Sequence, residues 1–234
     1  MIPLRDTIPS KTFPVINISL IVLNILVFFY EVSLGSHLPH FISQYGIIPL
    51  RFFHYRFFHA DTLLEVLLPL ITFMFLHGGW LHIIGNMLYL WIFGDNVEDR
   101  MGHFRYLIFY LLCGLASGLV QLLINPSSHL PIVGASGAIA GVMGAYFLLY
   151  PFAKVITLFF FLFFIDIIKI PAFFFLGFWF VIQFFSGTFS LAGGGTGVAW
   201  WAHIGGFLCG LMLVFPFTRI GRKREWYLKK KRPL

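Results

Sequence analysis

Apolar runs, some long enough to cross a bilayer, recur along the chain, separated by short polar or proline-rich breaks. The first extends from Val15 to about Ser33, and about 20 mostly apolar residues in a helix span the hydrocarbon core. Asn17, Asn24 and Glu31 recur within it every seven residues and so share one face. Polar side chains are costly in lipid, so this face turns toward protein or water, where the three side chains fix the register of the helix. A second run covers Trp80 to about Phe93 and ends in the charged Asp95 to Arg100, and a third covers about Phe104 to Ile124. Asn125-Pro126-Ser127-Ser128 then turns the chain back into a fourth, which starts at Ser136 and is stopped by Pro151. The last covers about Val198 to Phe217.

Two stretches break this pattern. From Gly35 to about Leu76, Pro39, Pro49, Pro69, Arg51, Arg56, His54, His59 and clustered aromatics predict a long interfacial loop with short amphipathic pieces. Val155 to Phe185 is apolar for about two spans' worth of residues, yet carries Asp166, Lys169 and Pro171 in its middle. Pro suits the first turn of a helix, so one span is predicted here, starting near Ile168, with Val155 to Ile165 left as a partly buried loop. Gly187 to Gly197 reads as a glycine-rich loop.

Charge placement tests the count. With six spans and the N-terminus inside, Arg5, Lys11, Arg100, Arg105, Lys154, Lys169 and the eight basic residues from Arg219 to Arg232 share the inner side, and only Arg51 and Arg56 lie outside. That is the asymmetry the positive-inside rule requires, and a seventh span would spoil it. The expectation is an all-α polytopic membrane protein with six transmembrane helices, both termini cytoplasmic, in a plasma (inner) membrane. Its parts would be a cytoplasmic segment 1–14, a six-helix domain 15–218 and a basic cytoplasmic tail 219–234. The first run is longer than a signal-peptide core and no A-x-A-like site follows, so it is read as an uncleaved helix.

Composition agrees: of 234 residues 59% are hydrophobic and 11% charged, and mean hydropathy is +0.89. A soluble fold could not hide 31 Phe behind so few charges. The net charge of +7 does not point to nucleic acid, because half of the sixteen Lys and Arg sit in the tail beside the membrane. Cys113 and Cys209 lie inside apolar runs and read as packing residues.

Candidate chemistry gathers at the outer ends of three helices. Ser136 opens the fourth helix, where unpartnered N–H groups and the helix dipole suit a group that becomes negative during acyl transfer. Gly137, Gly141 and Ala145 form a small-residue ridge on that helix, and in such company a serine can also be simple packing. His203 lies about one turn into the sixth helix, with Gly206 and Gly210 continuing its face. If the two ridges pack, Ser136 and His203 arrive at one depth. His82 and Asn86, four residues apart, share a face of the second helix. Singly, each of these could be interhelical glue, and His77 an interfacial residue. Four polar groups at one depth on one side of a membrane are harder to explain as packing. From Ser136 to Tyr150 is about 22 Å of helix against about 30 Å of hydrocarbon, so Ser136 is expected to lie below the surface, beside protein or a wet cavity.

Gly134-Ala135-Ser136-Gly137, Ala202-His203-Ile204-Gly205-Gly206 leading to Gly210, and His82-x-x-x-Asn86 preceded by His77 resemble the rhomboid intramembrane serine proteases. Glu98 to Gly102 also fits the E-x-x-x-G pattern of that family, a structural feature there. The resemblance implies a six-helix rhomboid core bundle with Ser136 as nucleophile and His203 as general base, cleaving transmembrane protein substrates within the lipid bilayer. Residue chemistry fits those roles, since serine is a weak nucleophile until a base takes its proton. The carboxylates Asp95, Glu98, Asp99 and Asp166 fall on the inner side, so a Ser/His dyad is expected, with Asn86, His82 and the Ser136 N–H as oxyanion donors. No metal or other cofactor is needed. A zinc protease would need H-E-x-x-H, which the sequence lacks, and an aspartyl protease two membrane-embedded aspartates. A non-catalytic relative would have lost Ser136 or His203, and a transport path would need polar residues along the inner halves of the helices.

Overall fold

The computed structural model describes residues 1–54, 62–161, 164–191 and 197–218. Arg56, His59, the glycine-rich residues 192–196 and the basic tail 219–234 lie outside the described residues. Among the described residues six long helices build the bundle: α1 (Val15–Ser33), α2 (Trp80–Met101), α3 (His103–Ile124), α4 (Ser136–Leu149), α5 (Ala172–Leu191) and α6 (Trp200–Phe217). α1, α3, α5 and α6 are each long and apolar enough to cross a membrane. α4 has 14 residues. It is the inner helix, packed against α2, α3, α5 and α6, and its residues Gly137 to Tyr146 are buried, as befits a helix apolar on every side.

Close approach of α4 and α6 depends on glycine. A Cβ on Gly206 would lie 1.9 Å from the Gly137 carbonyl oxygen, and one on Gly210 2.0 Å from that of Gly141. The two ridges predicted from the sequence therefore do pack, backbone on backbone.

The polar face of α1 is buried against α2 and α3. Asn17 donates from Nδ2 to the Leu90 carbonyl at 3.1 Å and accepts from the Tyr106 hydroxyl at 2.8 Å. Asn24 donates to the Leu20 carbonyl at 2.7 Å, and the Glu31 carboxylate accepts the His77 N–H at 3.2 Å. α2 runs through Asp95 to Arg100 instead of ending before them, because this charged turn works as a cap for α1. The Glu98 carboxylate accepts the first N–H groups of α1, from Ile16 at 3.0 Å and Asn17 at 2.7 Å. It also bonds His103 Nδ1. Asp99 accepts from the Thr12 hydroxyl at 2.7 Å.

Between α1 and α2 the chain forms short helices, as expected, at Leu38–Tyr45, Pro49–His54, Leu63–Leu67 and Pro69–Thr72. Ile47 and Ile132 exchange backbone hydrogen bonds at 3.1 and 2.7 Å, and Leu50 N–H bonds the Ser128 carbonyl at 3.1 Å. These bonds tie the long loop to the segment that enters α4.

The departure from expectation lies between α4 and α5. The reading of Val155 to Ile165 as a loop and of a helix start near Ile168 is corrected here: β2 (Lys154–Phe161) and β3 (Phe164–Pro171) form an antiparallel hairpin. The N-terminal β1 (Ile2–Asp6) adds to its edge in the order β1-β2-β3. The helical bundle thus carries a small sheet that an all-α reading left out. β-branched and aromatic residues favour strands, and alternation is visible in burial, with Val155 and Thr157 inside and Lys154 and Phe160 outside. Pro171 closes β3 and α5 follows at Ala172. The sheet is pinned to the bundle by Asp6, whose carboxylate accepts from the Tyr146 hydroxyl of α4 and from Asn96 Nδ2 of α2 at 3.3 Å. Burial pushes the Asp6 carboxyl up to about 6.

Candidate active site

Ser136 is the first residue of α4, and no side chain caps the free N–H groups of that helix start. The segment before it is held by the Gly134 N–H, which donates to the Phe73 carbonyl at 2.9 Å. Gly134 has φ +132°, and a Cβ there would lie 2.8 Å from His82 Nε2. Both the backbone angle and the imidazole above it therefore require glycine.

His203, on the first turn of α6, places Nε2 at 2.8 Å from Ser136 Oγ. α6 is fixed in height by Gln121 of α3, whose Oε1 accepts the Ala202 N–H at 3.2 Å. On the other side of the ring, His203 Nδ1 lies 2.8 Å from Oε1 of Gln183 on α5. Gln183 donates from its own Nε2 to the Trp179 carbonyl at 3.2 Å. That second bond sets which end of the amide faces the imidazole, so Oε1 accepts and the Nδ1 proton sits on His203. Nε2 is then free to accept from the Ser136 hydroxyl. Trp179 lies tilted against the imidazole at 5.9 Å and Trp200 edge-on at 6.1 Å.

His82 and Asn86 approach from α2. The Gly78 N–H donates to His82 Nδ1 at 3.3 Å, which leaves the Nε2 proton directed toward Gly134 and the start of α4. Asn86 is 8% exposed, and its Nδ2 makes no hydrogen bond among the described residues. Ser136, His203, His82, Asn86 and Trp179 line one open cavity of about 740 Å³, together with the apolar Ile139 and Met143 of α4.

All four residues singled out in the sequence therefore meet in one place. His77 does not join them: it is buried beneath His82, with ring centroids 5.2 Å apart, and packs edge-on against Phe28. Gln183 and Gln121 were not singled out by sequence. Gln183 had one signal, being a polar amide in an otherwise lipid-like run, where such a group must face protein. Chemically, the arrangement pairs a hydroxyl with a base that is already an acceptor. It also offers N–H donors from Asn86, His82 and the helix start to an oxygen that gains charge.

The family model described as "Rhomboid domain" matches residues 65–220. "Rhomboid-like protein 11, chloroplastic" of Arabidopsis thaliana is 33% identical over 117 residues, 47% of this chain and 37% of that protein. "Rhomboid protease GluP" of Bacillus subtilis is 40% identical over 76 residues, 32% of this chain and 14% of that protein. "Rhomboid-like protease 5" of Toxoplasma gondii is 32% identical over 157 residues, 65% of this chain and 16% of that protein. The chain thus matches well under half the length of each of these relatives. The family match covers most of the chain and takes in α2 to α6 with every residue of the cavity named above, and on it this multi-pass membrane protein belongs to the rhomboid family.

Proposed function

We propose that this protein is an intramembrane serine endopeptidase that cleaves transmembrane segments of other proteins. The observation that carries the reading is the 2.8 Å hydrogen bond between Ser136 Oγ and His203 Nε2 inside a cavity shared with Asn86 and His82. In the reaction, His203 Nε2 takes the Ser136 proton as Oγ attacks the scissile carbonyl carbon, and the C=O π pair moves to oxygen. Asn86 Nδ2, the His82 Nε2 proton and the Ser136 N–H stabilise that oxyanion. His203 then protonates the leaving nitrogen, the C–N bond breaks, and an acyl-serine remains. Water, deprotonated by the same imidazole, completes the hydrolysis. No step calls for a cofactor.

The inner-side placement of Arg5, Lys11, Arg100, Arg105, Lys154, Lys169 and the tail residues supports cytoplasmic termini. The Ser136 end of the bundle then faces outward from a plasma (inner) membrane. The catalytic domain would comprise residues 15–218.

The test is cleavage of a single-span protein in proteoliposomes by wild type, Ser136→Ala and His203→Ala, with labelling by a fluorophosphonate. Both substitutions are expected to abolish cleavage while the protein stays folded, because the two side chains act as one unit. Full activity in either variant, or labelling at another serine, would overturn the reading.

A further inference from the structure

We infer that Gln183 is a positioning residue for His203, a third member of the proton-transfer unit supplied by α5. This rests on the proposed hydrolytic role of Ser136 and His203. A serine protease histidine needs something to hold its ring in the tautomer that leaves Nε2 as acceptor, and among the described residues no carboxylate lies against Nδ1. Gln183 Oε1 does, at 2.8 Å. The amide is 4% exposed, and its orientation is locked by its bond to the Trp179 carbonyl within the same helix turn. Trp179 also flanks the imidazole on one side. One turn of α5 thus fixes both the proton and the plane of the ring.

A neutral acceptor orients the imidazole without adding charge to a site sunk among apolar residues, where a buried carboxylate would be costly. Because Gln183 sits on a different helix from both members of the dyad, displacement of α5 detaches the Nδ1 bond while leaving Ser136 and His203 in place.

The test compares Gln183→Leu and Gln183→Glu with wild type in proteoliposomes, following cleavage, fluorophosphonate labelling of Ser136 and unfolding temperature. Gln183→Leu is expected to lower kcat by about 10- to 100-fold, at or below the smallest contribution of assisted proton transfer, about 100-fold, because the base His203 itself remains, with KM and unfolding temperature little changed. Gln183→Glu is expected to recover turnover and to move the pH–rate profile upward, since a carboxylate beside Nδ1 favours the imidazolium. The other titratable group acting on the ring is His82 of α2, while the Ser136 hydroxyl of α4 and Trp200 of α6 also face it. Unchanged kcat in a folded Gln183→Leu would overturn the inference. If that variant does not fold, an unshifted profile in Gln183→Glu overturns it instead. Absence of Ser136 labelling in wild type would count against the hydrolytic reading itself, whereas labelling with equal rates in wild type and Gln183→Leu counts against Gln183 alone.

A separate observation concerns the sheet. Register sorts its side chains onto two faces: Pro3, Asp6, Val155, Thr157, Phe159, Asp166, Ile168 and Ile170 on one, and Ile2, Arg5, Lys154, Ile156, Leu158, Phe160, Ile165, Ile167 and Lys169 on the other. Both acids thus lie on the first face and all three cations on the second. On that second face Arg5, Lys154 and Lys169 are exposed near the bundle, while Phe160, Ile165 and Ile167 are exposed toward the hairpin tip. β3 runs straight into the membrane-spanning α5. We propose that this face docks on the anionic surface of the bilayer, with Phe160, Ile165 and Ile167 in the interface and the cations on headgroup phosphates.

An environment-sensitive fluorophore at Ile167→Cys, in a background with Cys113 and Cys209 replaced, tests this in nanodiscs of phosphatidylcholine with and without phosphatidylglycerol. A blue shift is expected on adding the anionic lipid, and its loss on raising the salt or on Arg5→Gln/Lys154→Gln/Lys169→Gln. Equal emission in the two lipids would overturn the proposal and leave the face to a protein partner.

Discussion

Among the described residues the buried Nδ2 of Asn86 has no hydrogen-bond partner, an arrangement that costs free energy in the resting protein and leaves the donor available to a reacting oxygen. Asn86→Ala is therefore expected to lower kcat by about 10- to 1,000-fold, the range for one oxyanion donor, without abolishing activity, because His82 and the α4 N–H groups remain. Single-turnover cleavage at saturating substrate measures it, and a rate equal to wild type would remove Asn86 from the site. Residues of this kind were legible in the sequence because one-dimensional spacing places them. His82 and Asn86 are one helix turn apart, and Ser136 and His203 each sit at a helix start beside a glycine ridge. Gln183 was not legible in the same way. It lies in mid-helix, and its partner is set by the rotation of α5 about its axis, which the surrounding phenylalanines leave open.

Among the elements, α1 ends where its apolar run ends, and the α4–α6 contact follows from glycines that recur every four residues. Both are local properties of sequence. The extension of α2 through Asp95 to Arg100 is not local. Those charges normally close a span, and it is the arrival of the α1 N-terminus, about 80 residues away in sequence, that gives the buried Glu98 carboxylate its two backbone donors. The hairpin escaped for another reason. Ile156, Leu158 and Phe160 make the outward face of β2 as apolar as its inward face, so the period-two signal that marks a half-buried strand is weak. An apolar run of that length is equally compatible with buried helix or membrane-edge loop. Charge counting excluded a seventh span without revealing the strands, because Lys154 and Lys169 flank the hairpin on the same side in either case.

At the scale of the whole molecule, the short inner helix governs what can react. α4 has 14 residues, about 21 Å at 1.5 Å per residue, whereas the hydrocarbon core is about 30 Å thick. With its far end near the sheet, Ser136 is expected to lie within the membrane, facing a cavity walled by Trp179 of α5. α5 turns Phe173, Phe174, Phe178, Phe184, Phe185 and Phe189 outward, as a helix bordering lipid does, so under the proposed function a substrate in the bilayer is expected to approach the site past this wall. A transmembrane helix keeps its scissile carbonyl inside an intact i to i−4 hydrogen bond and presents only side chains. It must unwind locally before Ser136 Oγ can reach carbon. Gly or Pro in the substrate helix lowers the cost of that opening, by about 1 kcal/mol for Gly and about 3 for Pro relative to Ala. Replacing such a residue by Leu, away from the cut site, is therefore expected to slow cleavage by about 5-fold for Gly and more than 100-fold for Pro, if opening precedes the first chemical step and about 1.4 kcal/mol corresponds to tenfold. The measurement is the initial rate of cleavage of the paired substrates at equal density in proteoliposomes, with insertion verified by protease protection. Equal rates within a pair would mean that the helix is opened by something other than its own weakness.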